Sequence, residues 1–135
     1  MSKSKKLVSR ALVVPILTDE YFVDVLFGDR EAVVHAGAKL CGDTVDWFRN
    51  EFEGKRGMAC NLLKKQRPRS PLIVLDSSLP WPVALATLAH EASHCMDYIA
   101  SYIGIDDRSG EFHAHGIGAV MRSVGKEIAK KQKKD

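Results

Sequence analysis

Long apolar runs are missing from this chain of 135 residues. The longest, residues 11–17, falls far short of the roughly 20 residues that a membrane-spanning helix needs, so no span is expected. Cysteine is scarce as well. Cys41, Cys60 and Cys95 are odd in number and unpatterned in spacing, which argues against a disulfide framework and for a reducing, cytoplasmic setting. Aromatic residues make up 7% and none interleaves with the basic clusters, so the stacking surface used to bind single-stranded nucleic acid lacks support. No secretory leader is expected in this segment either: Pro15 interrupts the apolar run, and Thr18, Asp19 and Glu20 stand where a cleavage site needs small residues. Internal repeats are absent, which excludes solenoid arrays.

With 45% apolar and 27% charged residues, the composition is that of an ordinary globular chain, and the length suits one domain. The net charge of +3 is unevenly spread: residues 1–10 carry +4, residues 122–135 carry +4, and the remainder −5. Basic, flexible ends are expected at about residues 1–6 and 130–135, around a single domain. A further basic cluster at residues 64–69 contains Pro68 and reads as a loop. Solvation is the ordinary role of such charges, and contact with nucleic-acid phosphates is the competing one.

Residues 7–17 and 21–27 alternate as strands do, and two more strands are expected at residues 58–63 and 71–75, the second being the most strand-like stretch of all. Helical spacing appears at residues 31–40 and 44–52, with Asp43 as a candidate cap. Asp76, Ser77 and Ser78 offer capping oxygens ahead of Pro80 and predict a long helix over residues 81–103, stopped by Gly104. Ile117, Val120, Met121, Val124 and Ile128 recur at intervals of three and four, predicting an amphipathic helix over residues 111–130. Strands first and helices last make an α+β domain, with a small antiparallel or mixed sheet packed against the long helix and the C-terminal one.

The long helix contains His90-Glu91-Ala92-Ser93-His94, an H-E-x-x-H sequence. Histidines four apart share a helical face about 6 Å apart along the axis, so both imidazoles can reach one ion. Glu91, turned about 100° from His90, can address an attacking water rather than the metal. Five histidines and seven glutamates in random order would produce such a motif in about one chain in a hundred. The apolar neighbours Val83, Ala84, Leu85, Leu88 and Ala89 suggest that His90, Glu91 and His94 are buried, which favours pairing around a cation. A catalytic zinc takes three protein ligands, so another donor is needed. Asp97, Glu111, His113 and His115 are the candidates. Asp97, one turn past His94, suits the task of orienting an imidazole, while Glu111 and His115 share one helical face and His113 projects roughly 160° from His115. A third histidine six residues after His94 would mark the metzincins, but that position is Ala100.

Over residues 72–121 the chain resembles the gluzincin branch of the zincin metallopeptidases, in which a glutamate from a downstream helix completes the H-E-x-x-H site. It also resembles small phage and prophage proteins in which a His-Glu-Ala-x-His helix precedes a Glu-x-x-Ala-x-x-x-Gly helix. Here that second element starts at Glu111 and reaches Gly118, and a tyrosine is usual in that pattern where this chain has His113 and His115. The resemblance implies His90, His94 and Glu111 as zinc ligands, Glu91 as general base, and a protein or peptide substrate. Glycines 116 and 118 with Ala119 suggest close helix approach, which would let Glu111 reach the ion. The strand at residues 72–75 is expected beside the cleft, pairing with an extended substrate. Tyr98 and Tyr102 are candidate oxyanion donors or packing residues, and Cys95, off the metal face, reads as a buried thiol. A zincin-like metal-binding protein that cleaves nothing, for instance a phage factor binding a host protein, is the alternative.

Overall fold

The computed structural model describes residues 9–16, 21–63, 70–108 and 110–134. The expected basic loop at residues 64–69 and the N-terminal end at residues 1–6 lie outside them. β1 (Ser9–Ile16) and β2 (Tyr21–Gly28) form an antiparallel pair in register from Ser9 opposite Gly28 to Ile16 opposite Tyr21. Pro15 is tolerated because β1 is an edge strand. Next come two helices, α1 (Arg30–Cys41) and α2 (Val45–Phe52), and the short β3 (Gly57–Cys60). β3 lies antiparallel to β4 (Leu72–Asp76), which runs parallel to β2. The sheet is therefore mixed, in the order β1-β2-β4-β3, and the fold is α+β as expected.

Alternation along the strands divides two cores. Val23, Val25, Phe27, Ile73 and Leu75 point to one face, under α3 (Trp81–Ile103) and α4 (Glu111–Val120). Leu26, Leu72 and Val74 point to the other, under α1 and α2. β4 is buried along its whole length because helices cover both of its faces, which is why it reads as a continuous apolar run instead of an alternating one.

Several local expectations need correction. Thr44, not Asp43, caps α2: its Oγ1 accepts a hydrogen bond from the Trp47 amide at 3.1 Å. Asp76 does not cap α3 but accepts from the Ser78 amide at 3.1 Å within the preceding turn, and α3 starts from Pro80 without a side-chain cap. Its far end is as expected, with Gly104 left-handed at φ 77°. β3 stops at Cys60 because the Asn61 side chain accepts from the Leu63 amide at 3.3 Å, a local turn that replaces the ladder. The C-terminal helix is interrupted by a π segment, Met121–Gly125, before α5 (Lys126–Lys134). Val120, Val124 and Ile128 are all buried. A spacing of four drifts about 40° per step in an α-helix, and the wider π turn takes up that drift.

Candidate active site

One stripe of α3 is buried in the core: Ala84, Leu88, Ala92, Cys95 and Ile99. The opposite stripe, by the same period, carries His90, His94 and Asp97. Both histidines are exposed and Glu91 is half-buried, so the expected burial of the motif is not found and desolvation does not force its groups together. Convergence does distinguish the pair. The two Nε2 atoms lie 3.2 Å apart, with the rings edge to face at 83°. Two nitrogens bound at 2.0–2.1 Å to one tetrahedral zinc are about 3.3 Å apart, so the imidazoles already stand at the edge length of such a site.

Glu91 faces β3. Two contiguous depressions, of about 530 and 360 Å³, run between this strand and α3 and share Lys55, Gly57 and Glu91. Thr87 and His90 line one of them, His94 and Tyr98 the other. The strand beside the groove is thus β3, whose outer edge has no strand partner among the described residues. The residues 72–75 expected there belong to β4, paired on both sides. Gly57 permits this approach. A Cβ on it would come within 2.7 Å of Thr87 Cγ2 and 3.3 Å of both Glu91 Cγ and the Val74 carbonyl oxygen. Arg30 fixes the turn leading into β3, donating to the carbonyls of Lys55 at 2.8 Å and Phe52 at 2.7 Å while its guanidinium lies 4.4 Å from the centre of the Phe52 ring.

Tyr98 is half-buried in the groove wall, and burial chiefly holds its hydroxyl above the usual phenol range, so it stays a proton donor. Tyr102 is exposed and lines, with Asn61 and Asp97, a further depression on the other side of Tyr98 from the groove. Cys95 is fully buried, as expected, and burial pushes its thiol up.

α4 packs along α3 at Gly116, where a Cβ would stand 1.9 Å from Met96 Sδ. Gly118 makes no such approach, since a Cβ there would meet only Arg122 of its own helix, at 3.2 Å. Gly116 marks the face of α4 that looks at α3. Glu111 lies about 140° from it around the helix and His113 about 60°, so of the candidate donors His113 is the one presented to α3. Its Nε2 is 2.6 Å from Asp97 Oδ1, and its Nδ1 contacts Asp107. Asp97 therefore holds an imidazole, but that of His113, not His94. The Asp107 carboxylate also accepts the Phe112 and His113 amides, each at 3.0 Å, across the start of α4. The hydrogen bond between Asp107 and His113 is the main cause that lowers the carboxyl and raises the imidazole from their usual ranges.

The structure thus brings His90 and His94 together with Glu91 beside them. Glu111 and His115 are exposed on α4, and among the described residues no three His, Cys, Asp or Glu side chains gather into a metal cage. Donor type and spacing fit zinc at the histidine pair, while a third protein donor is not assembled there. The role of His113 could have been found from Gly116, which sits three residues on and so shares its face. None of the described helices is long and apolar enough to cross a membrane. No family model, no curated protein and no solved structure matches the chain.

Proposed function

We propose that the protein is a zinc-dependent metallopeptidase of zincin type that hydrolyses peptide bonds. The observation that carries this reading is the convergence of His90 and His94 at 3.2 Å beside a groove that Glu91 lines. His90 and His94 would hold the ion; Glu111, the proposed third ligand, would have to reach the pair from the exposed face of α4. Zinc supplies a Lewis acid that polarises a carbonyl and acidifies water. Glu91 takes the proton from the attacking water and passes it to the leaving amine. Tyr98 donates to the carbonyl oxygen as charge develops on it. An extended peptide lies along the outer edge of β3, which has no strand partner among the described residues, its backbone satisfied by strand addition.

Glu91→Gln separates binding from chemistry: it should keep zinc and abolish hydrolysis of peptide substrates, and undiminished turnover would refute the assignment. Metal content of Glu111→Ala beside His115→Ala and His113→Ala identifies the third donor. The exposed position of Glu111 on α4 favours a second reading, a zincin-like metal-binding protein that engages a partner without cleaving it. That reading expects stoichiometric zinc and no turnover of any peptide or host protein.

A further inference from the structure

Two of the three cysteines meet on the side of the sheet away from α3. Cys41 ends α1 and Cys60 ends β3. Along β3, Ala59 packs toward α3 whereas Met58 and Cys60 pack into the core under α1 and α2, where Cys41 lies. Cys60 is thereby turned from Cys95, which belongs to the opposite core. Both Cys41 and Cys60 line one depression of about 220 Å³ with Asp43, Trp47 and Met58, and the neighbouring Cys41 side chain is the first cause that raises the Cys60 thiol. Cys41 is buried and Cys60 half-buried, so the pair is reached through Cys60.

We propose that Cys41 and Cys60 form a dithiol site that closes to a disulfide on exchange with low-molecular-weight disulfides such as oxidised glutathione, tying the end of the groove's edge strand to the end of α1. Cys60 loses its proton to solvent, and its thiolate attacks one sulfur of the small disulfide, making a mixed disulfide and expelling one small thiolate. Cys41 then loses its proton and attacks the Cys60 sulfur, expelling the second. Two protein thiols are oxidised and one small disulfide is reduced to two thiols. The neighbouring Cys41 first, and then burial, push the Cys60 thiol up, so its thiolate forms in alkaline solution and exchange is slow at neutral pH. The site is independent of any metal at His90 and His94.

Intact protein incubated with oxidised glutathione in mildly alkaline buffer is weighed by mass spectrometry. Wild type should lose two hydrogen masses and carry no glutathione, with Cys95→Ser behaving identically. Cys41→Ser should instead accumulate one glutathione on Cys60, and Cys60→Ser none. The proposal is overturned if wild type keeps a glutathione adduct or its full hydrogen complement, or if the two-hydrogen loss persists in Cys41→Ser.

Discussion

Alanine at position 116 tests the contact that sets α4 against α3. Two effects oppose. Replacing glycine inside a helix gains about 1 kcal/mol of helix propensity. Against that gain, the new Cβ would stand 1.9 Å from Met96 Sδ, 2.9 Å from its Cγ and 3.0 Å from its Cε. Met96 is 0% exposed, so it has no solvent to swing into, and relief requires parting the helices or straining a buried rotamer at about 1–3 kcal/mol. Overpacking wins. Gly116→Ala should lose about 1 kcal/mol, a fall of roughly 3 °C in melting temperature for a domain of this size. Gly118→Ala is the control, because its Cβ meets only the end of the exposed Arg122 side chain, and it should gain about 0.5–1 kcal/mol. In a Met96→Ala background the overlap disappears and Gly116→Ala should become stabilising. Urea denaturation followed by circular dichroism reads all four variants. A Gly116→Ala protein as stable as wild type, with Met96 in place, would show that Met96 does not fix the spacing of α4 on α3.

Gly57→Ala meets the Val74 backbone as well as Thr87 and Glu91, so β3 must lift from α3. It should cost about 1–2 kcal/mol and reduce any hydrolysis, and Thr87→Ser in the same chain should recover part of the stability by deleting the methyl at 2.7 Å. Arg30→Lys removes the fork that serves two carbonyls and the contact with Phe52. A single ammonium cannot replace both, and a loss of about 1–2 kcal/mol is expected in the denaturation midpoint. Glu31 of α1 takes hydrogen bonds from Arg49 of α2 at 2.7 and 3.1 Å, which chiefly hold its carboxyl below the usual 4.5. A lowered carboxyl adds stability above its unfolded value and loses it as pH falls through the folded one. Glu31→Gln should therefore melt below wild type at neutral pH, and the gap should shrink as pH falls below 4.5 and close once the folded carboxyl is protonated; a gap of constant size throughout the acid range would contradict the assignment.

The long helix could be read to the residue because its end is chemically marked, with apolar spacing up to Ile103 and a glycine that accepts the left-handed stop. Sheet order could not. The most strand-like segment, residues 72–75, is expected beside the groove, yet apolar side chains on both of its faces mark a central strand. The actual edge, Gly57–Cys60, is short and weakly patterned, and its position depends on how closely Gly57 passes α3. The histidine pair was visible from spacing alone, since the helix fixes it. The third donor was not, because it depends on how α4 is rotated about its axis. Gly116 sets that rotation through Met96, and it presents His113 to α3 where the downstream glutamate had been expected. Burial of the motif was misjudged for a related reason: apolar neighbours along the chain occupy the far side of the same helix.

The proposed function rests on His90 and His94 holding a metal ion. Wild-type protein equilibrated with zinc and freed of excess by dialysis, then analysed by atomic emission, should retain one zinc per chain, and His90→Ala and His94→Ala should each lose it while keeping the wild-type circular dichroism. Wild type without zinc, or zinc retained undiminished in both variants, would contradict metal binding at this pair.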